Sequence, residues 1–208
     1  MEAEFVMDLE LTHPQLKGKA QGGIFAQYCM SLNAALKSSD WEKITFLSET
    51  LLECWQTDRR IFICGNGGSA ANAAHIANDL LYGISKKLGT GLKVQALSAN
   101  PAVLTCLAND EGYDNIFSHQ LAVQANKNDV LVVLSSSGNS PNILKVLEEA
   151  KRIGVLSFAI LGYSGGKAHP LTDVPITYAV NDVQISEDLQ VIIFHMVMQW
   201  LYQAAKLL

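Results

Sequence analysis

The sequence predicts an α/β domain built on a mostly parallel sheet. Three observations carry that expectation. Arg59 to Cys64, Val130 to Leu134 and Val155 to Leu161 are apolar runs of strand length. Each stops abruptly at a loop rich in glycine or serine, and helical patterns separate one run from the next. Strands and helices that alternate in this way pair in parallel, with right-handed crossovers and helices on both faces. Ligands of such sheets sit at the carboxyl ends of the strands.

The elements follow in chain order. Met1 to about Gly23 mixes polar and apolar residues and contains His13-Pro14 and Gly22-Gly23, so it is expected to be an irregular arm or a short helix. Residues 24–208 form the single domain. Helices are predicted over Ile24 to Lys37 and Trp41 to Gln56, the second with Ile44, Leu47, Leu51, Leu52 and Trp55 at helical spacing and Ser39-Asp40 as its start. They would cover one sheet face or an oligomer interface. The strand Arg59 to Cys64 ends at Gly65-Asn66-Gly67-Gly68-Ser69, and a helix is expected from Ala70 to about Tyr82. Lys93 to Leu97 is a short strand closed by Ser98-Ala99-Asn100-Pro101. Asn109-Asp110-Glu111-Gly112-Tyr113 is a polar turn between a short helix and another over Ile116 to Asn126. After the strand Val130 to Leu134, a helix runs from Pro141 to Ile153. Val155 to Leu161 leads into Gly162-Tyr163-Ser164-Gly165-Gly166. Val174 to Val180 is the last strand, and Ile185 to Leu208 is a long apolar closing helix.

At 208 residues and 49% hydrophobic composition, the chain can bury a full core and has the size of one domain. A net charge of -5, with no block of like charges, argues against a protein whose main task is to neutralise nucleic-acid phosphates. Cys29, Cys54, Cys64 and Cys106 are widely spaced, form no CxxC pair and lie in apolar or helical surroundings. They are expected to be buried reduced thiols in a cytoplasmic protein. Met1-Glu2-Ala3-Glu4 is acidic where a signal peptide is basic, and no apolar run approaches the ~18 residues of a membrane helix.

The chemistry concentrates in two loops and two helices. Ser135-Ser136-Ser137-Gly138-Asn139-Ser140 joins a strand to a helix start, where unpaired backbone N–H groups and the helix dipole favour a phosphate. Ser and Asn are also ordinary capping residues. The Gly65 loop lacks the Lys of a P-loop and does not spell GxGxxG, so no nucleotide or organic cofactor is expected. Both loops lie at carboxyl ends of strands and should share one cleft. His75 and Asp79, four apart, share a helix face. On the closing helix, Glu187 or Asp188 lies two turns from His195. If the two helices are neighbours, two His and two carboxylates meet in a zinc or acid/base site. Singly, these residues are equally ordinary: a half-buried His, a solvated Asp and an acidic helix N-terminus.

Taken in order, Gly65-Asn66-Gly67-Gly68-Ser69 with Ala71-Asn72 and His75, Ala108-Asn109-Asp110-x-Gly112, Asp129-Val130-Leu131 with Ser135-x-Ser137-Gly138-Asn139-Ser140, and Gly165-Gly166-Lys167 resemble the sugar isomerase (SIS) domain family. The similarity covers about residues 40 to 208 and points to the phosphoheptose isomerase branch. It implies a three-layer, flavodoxin-like or Rossmann-like α/β/α fold with a five-stranded parallel sheet, assembled as a homotetramer with active sites between subunits. It also implies conversion of sedoheptulose 7-phosphate to D-glycero-D-manno-heptose 7-phosphate, the entry to heptose for surface polysaccharide. On this resemblance Ser135, Ser136, Ser137 and Ser140 hold the phosphate, while Asn66, Gly67, Gly68, Ser69, Asn109, Asp110 and Glu187 bind the sugar. Asp79 and His195 are the catalytic pair, and some members carry zinc on the set that falls here on His75, Asp79, Glu187 and His195. Two positions depart from the family pattern: its Glu is Asp79, one methylene shorter, and its Gln is Glu187. A displacement of about an ångström can cost ~100-fold in rate, whereas two His with two carboxylates favour a divalent metal. A second expectation, from relatives that associate with a replication initiator, is a non-catalytic phosphosugar-binding regulator. A third is an isomerase for a related phosphosugar.

Overall fold

Hydrophobic runs without polar alternation occupy the middle of the sheet, as strands buried on both faces require. The computed structural model describes residues 23–84, 86 and 89–206, so the arm expected over residues 1–23 lies outside the described residues apart from Gly23. Five strands, β1 (Arg60–Gly65), β2 (Lys93–Ala96), β3 (Val130–Ser135), β4 (Leu156–Leu161) and β5 (Val174–Thr177), pair in the order β2-β1-β3-β4-β5. Every pair is parallel. All six residues of β3 are buried, as are five of six in β1 and in β4.

Alternate residues of these strands feed two cores. Ile61, Ile63, Val130, Val132 and Phe158 face one layer, with α2 (Trp41–Gln56), α3 (Gly68–Asn78) and α7 (Val183–Ala204). Phe62, Cys64, Leu131, Val133 and Ala159 face the other, with α5 (Ser118–Gln124) and α6 (Pro141–Ile153); α4 (Pro101–Asp110) adds Leu104 and Leu107 at its margin. The helix after β1 therefore lies on one face and the helix after β3 on the other. Between the carboxyl ends of β1 and β3 the crossovers diverge and leave a crevice, the topological switch point of a 2-1-3-4-5 sheet. At that point the strands come close. A Cβ on Gly65 would stand 2.8 Å from the Leu134 carbonyl oxygen and the Ser69 Cβ.

Several boundaries differ from expectation for local reasons. α3 begins at Gly68, two residues early, because Gly67 at φ +56 supplies the turn into it. Its C-terminal continuation, Asp79–Gly83, is a π turn closed by the Ile84 N–H on the Asp79 carbonyl, and side-chain periodicity carries no signal for this wider winding. The closing helix starts at Val183, because Asp182 caps it by accepting from the Ile185 N–H at 2.9 Å. Glu187 and Asp188 thus lie beyond the first turn rather than at the acidic helix N-terminus their sequence position suggested. The last strand stops at Thr177, where Tyr178 and Val180 bond back to Leu161 and Tyr163. Cys54 and Cys64 are buried as expected, and burial pushes both thiols up, Cys54 to about 11. Cys29 and Cys106 are instead exposed, Cys106 in an open groove between α4 and α5. Among the described residues no helix is long and apolar enough to cross a membrane.

Of the two N-terminal helices, α2 covers the sheet with Ile44, Leu47, Leu51 and Cys54, whereas α1 (Gly23–Lys37) buries only Ala35. Its polar tie to the domain is the Tyr28 hydroxyl, which donates to Asp188 Oδ2 at 2.5 Å. That bond, with some desolvation, raises the phenol from 10.0 to about 12. The tie is fully present below pH ~10 and is lost as pH rises through about 12, because the deprotonated phenol cannot donate. Tyr28→Phe is expected to remove that part of the alkaline loss of stability, read from urea midpoints between pH 9 and 12. Parallel alkaline profiles in the two proteins would show that the bond contributes nothing.

Candidate functional site

At the switch point the chain builds a cavity of about 510 Å³, lined by Asn66, Ser69, Leu134, Ser135, Ser136, Ser137, Asn139, Ser140, Tyr163, Ser164, Val183 and Glu187. The serine loop forms its wall and folds on its own side chains. The Gly138 N–H donates to Ser135 Oγ at 3.0 Å, and the Asn139 amide donates to the Ser137 carbonyl at 3.0 Å. Gly138 takes φ +63 and Ala168 N–H bonds its carbonyl at 2.9 Å, which seats the loop on the Gly165–Gly166 turn. Ser140 is the N-cap residue of α6 yet makes no side-chain capping bond. The Ser136 hydroxyl is buried with no partner among the described residues. A buried unpaired hydroxyl beside helix α6's N-terminus is what a bound anion would satisfy. Among the described residues no Lys or Arg lines the cavity, so the donors they offer an anion there are neutral groups and a helix end.

Across the cavity, Glu187 rises from the second turn of α7. Its carboxylate rests against Gly68, so closely that any Cβ at Gly68 would overlap it. A Cβ at the first position of α3 would therefore push the flexible end of Glu187 aside. The carboxylate stands at the positive end of α3, where no side chain caps Gly67. Asn66 is locked by two partners. It exchanges amide bonds with the buried Asn142 at 2.8 and 2.9 Å, and accepts from the Tyr113 hydroxyl at 3.0 Å.

Along the same two helices lies a second group of side chains. His75 Nε2 is 3.1 Å from His195 Nε2, and Asp79 Oδ2 is 3.5 Å from the first and 3.6 Å from the second. The imidazoles meet edge to face, with centroids 5.3 Å apart. Both are about half exposed, while Asp79 is more covered, at 24%. Two imidazole nitrogens and a carboxylate oxygen suit a divalent metal with an open position. Ligands at ~2.0–2.1 Å from a tetrahedral zinc stand about 3.3–3.4 Å apart, close to the spacings of this trio. The donor set thus fits zinc.

The positions singled out from sequence fall into three places. Asn66, Ser69, Ser135, Ser136, Ser137, Ser140 and Glu187 line the cavity, with Gly67 and Gly68 forming the turn beside it. His75, Asp79 and His195 converge on one another, and Glu187 is not part of that group. Asn109 and Asp110 lie at the exposed end of α4, outside the cavity lining, with the Asn109 amide on the Asp110 carboxylate at 2.7 Å. That bond and one from the Cys106 thiol hold Asp110 below its usual range. Asp188, the alternative acid, is turned to Tyr28. Sequence reasoning missed Tyr163, Ser164, Asn142 and Gln190. The last was legible in principle, as a lone amide inside the apolar run Leu189 to Phe194.

Comparison with known proteins adds independent observations. A sequence model described as the SIS domain matches residues 25–162. The phosphoheptose isomerase of Helicobacter pylori (strain Shi470) is 39% identical over 147 residues, which span 70% of this chain and 75% of that protein. The phosphoheptose isomerase of a Nitratiruptor species is 36% identical over 159 residues, or 74% and 84% of the two chains. Among solved structures, the phosphoheptose isomerase of Neisseria gonorrhoeae superposes with a TM-score of 0.81 at 28% identity, over 90% of this chain and 99% of that one.

Proposed function

This chain belongs to the SIS domain family, in its phosphoheptose isomerase branch, and from that premise we propose that its substrate is sedoheptulose 7-phosphate and its product D-glycero-D-manno-heptose 7-phosphate. It is a phosphosugar isomerase. One observation supports the seven-carbon assignment above others. The anion cavity and the His75–Asp79–His195 group occupy two ends of the seam between α3 and α7, with Glu187 and His195 about 12 Å apart along the helix axis. An extended sugar phosphate can lie along that seam with its phosphate in the serine loop and its carbonyl end at the imidazoles.

The chemistry is a proton relay through an enediol. One proton leaves C1 of the ketose and one arrives at C2, while the hydroxyl proton on O1 is lost and O2 gains one, so atoms and charge balance. Asp79 and His195 are the pair assigned to carbon, one removing and the other returning the proton. Positioned proton transfer contributes roughly 10²–10⁴-fold. The serine loop fixes the phosphate, so that binding energy remote from the reacting carbons orients them. His75, Asp79 and His195 would also hold a zinc ion, which supplies Lewis-acid polarisation of a carbonyl oxygen. An atom that ligates a metal cannot carry the transferred proton, so with zinc held by Asp79 Oδ2 and His195 Nε2 only Asp79 Oδ1 and His195 Nδ1 would remain for proton transfer.

Homotetrameric assembly with sites between subunits, in a reducing cytoplasm, belongs to the same proposal. Exposed Ile24, Phe25 and Met30 on α1 support the first, and four free cysteines the second. Incubation with sedoheptulose 7-phosphate is expected to yield the aldose, and sedimentation equilibrium to give four times the chain mass. No aldose with or without added zinc would sink the substrate assignment, and a monomer would sink the assembly.

A further inference from the structure

Gln190 is 1% exposed on α7, and a buried amide is costly unless bonded. Its Nε2 donates to Ser69 Oγ at 3.0 Å, and its Oε1 accepts from the Asn72 amide at 3.0 Å. The Asn72 amide also donates to the Glu187 carbonyl at 2.9 Å. Ser69 and Asn72 belong to α3, so these three bonds cross the seam between the two helices. Between these bonds and the imidazole pair the contact is apolar, with Ala73 and Ile76 of α3 and Leu189, Ile193 and Val197 of α7 in one core cluster, and beyond the imidazoles the Tyr202 hydroxyl donates to the Gly83 carbonyl at 3.0 Å. Apolar contacts resist separation but tolerate sliding and rotation. Directional bonds to a buried amide do not.

The two helices run in the same direction, with Ser69 and Asn72 beside Gln190 at one end and His75 beside His195 at the other. Along α7, Gln190 lies about 7.5 Å from His195. We propose that Gln190 is a positioning residue: by clasping Ser69 and Asn72 it sets the register of α7 on α3, and so the spacing of His75, Asp79 and His195. It also couples the two ends of the seam, since Ser69 and Glu187 line the anion cavity. The inference rests on the acid/base and metal reading of the imidazole end, and its test separates the two.

Gln190→Met keeps the length and volume of the side chain and deletes both of its bonds, leaving only the bond from Asn72 to the Glu187 carbonyl. In crystals of the variant, the His75–His195 Nε2 separation is expected to lengthen beyond hydrogen-bond reach. Cobalt(II) affinity, read from the visible spectrum, is expected to fall about 10–100-fold. With sedoheptulose 7-phosphate, kcat is expected to fall by about 10–100-fold with KM little changed. Ser69→Ala, which leaves the Gln190 amide without its acceptor, should act in the same direction, and the double variant should be no worse than the more affected single one. An unchanged Nε2 separation and kcat in a folded Gln190→Met protein would overturn the proposal. If the wild-type protein takes up no cobalt, the metal reading has failed, and the clasp is judged on the crystallographic spacing alone.

Discussion

Asp79→Asn is expected to lower kcat by about 10²–10⁴-fold while leaving phosphosugar affinity within a few-fold of the parent. The amide has nearly the volume of the carboxyl and can keep the bond from Asn78, which reaches Asp79 Oδ1 at 3.3 Å. What it loses is basicity and charge, facing two imidazoles at 3.5 and 3.6 Å. The cavity proposed to bind the phosphate lies at the other end of α3, so binding measured by calorimetry should survive. Zinc content should fall as well, because a neutral amide oxygen is a weaker ligand than a carboxylate. Asp79→Glu separates these effects. It retains the charge and extends the reach by one methylene, so near-parental turnover would identify charge as the requirement, while a loss would identify placement. Full turnover in Asp79→Asn would remove Asp79 from the chemistry.

Gly138→Ala is expected to destabilise the fold by about 2–4 kcal/mol and to abolish measurable phosphosugar binding. About 1–2 kcal/mol arises from forcing a Cβ into the left-handed conformation at φ +63. The rest is overpacking, since that Cβ would fall inside the envelope of the Gly165 carbonyl and 3.2 Å from the Gly166 nitrogen, both backbone atoms that cannot swing away. Relief requires the serine loop to lift from the Gly165 turn, which moves Ser135 and Ser137 together. Gly67→Ala is the control, because it shares a positive φ of +56 but has nothing within 4 Å of its Cβ. It should show the conformational cost alone. Equal urea midpoints and equal affinities for the two variants would refute this account.

Much of the fold was legible because it depends on local pattern. Apolar runs such as Val130 to Leu134, bounded by Ser and Gly, are buried strands wherever they occur, and β3 extends that run by one residue. The helix over Pro141 to Ile153 agrees with its expected bounds because Pro141 opens it and Gly154, at φ 82, closes it. The π turn at Asp79 was not legible, since one extra residue in a turn leaves composition and spacing almost unchanged. Nor was the exposure of Cys29 and Cys106, because an apolar helix face does not state what covers it.

The site divides in the same way. By itself the sequence determined that two polar loops end apolar strands, and that His75 and Asp79 share one face, because both follow from the fixed periods of strand and helix, whereas the pairing of those two strands came from the fold. Only the tertiary structure decided that His75 and His195, 120 residues apart, touch at 3.1 Å. It also decided that Glu187 lies over Gly68 and outside the imidazole group, and that Asp182 caps α7. These outcomes depend on the register of one helix against another. Register is set by packing and by a few buried bonds such as those of Gln190, and these exist only once distant segments have met.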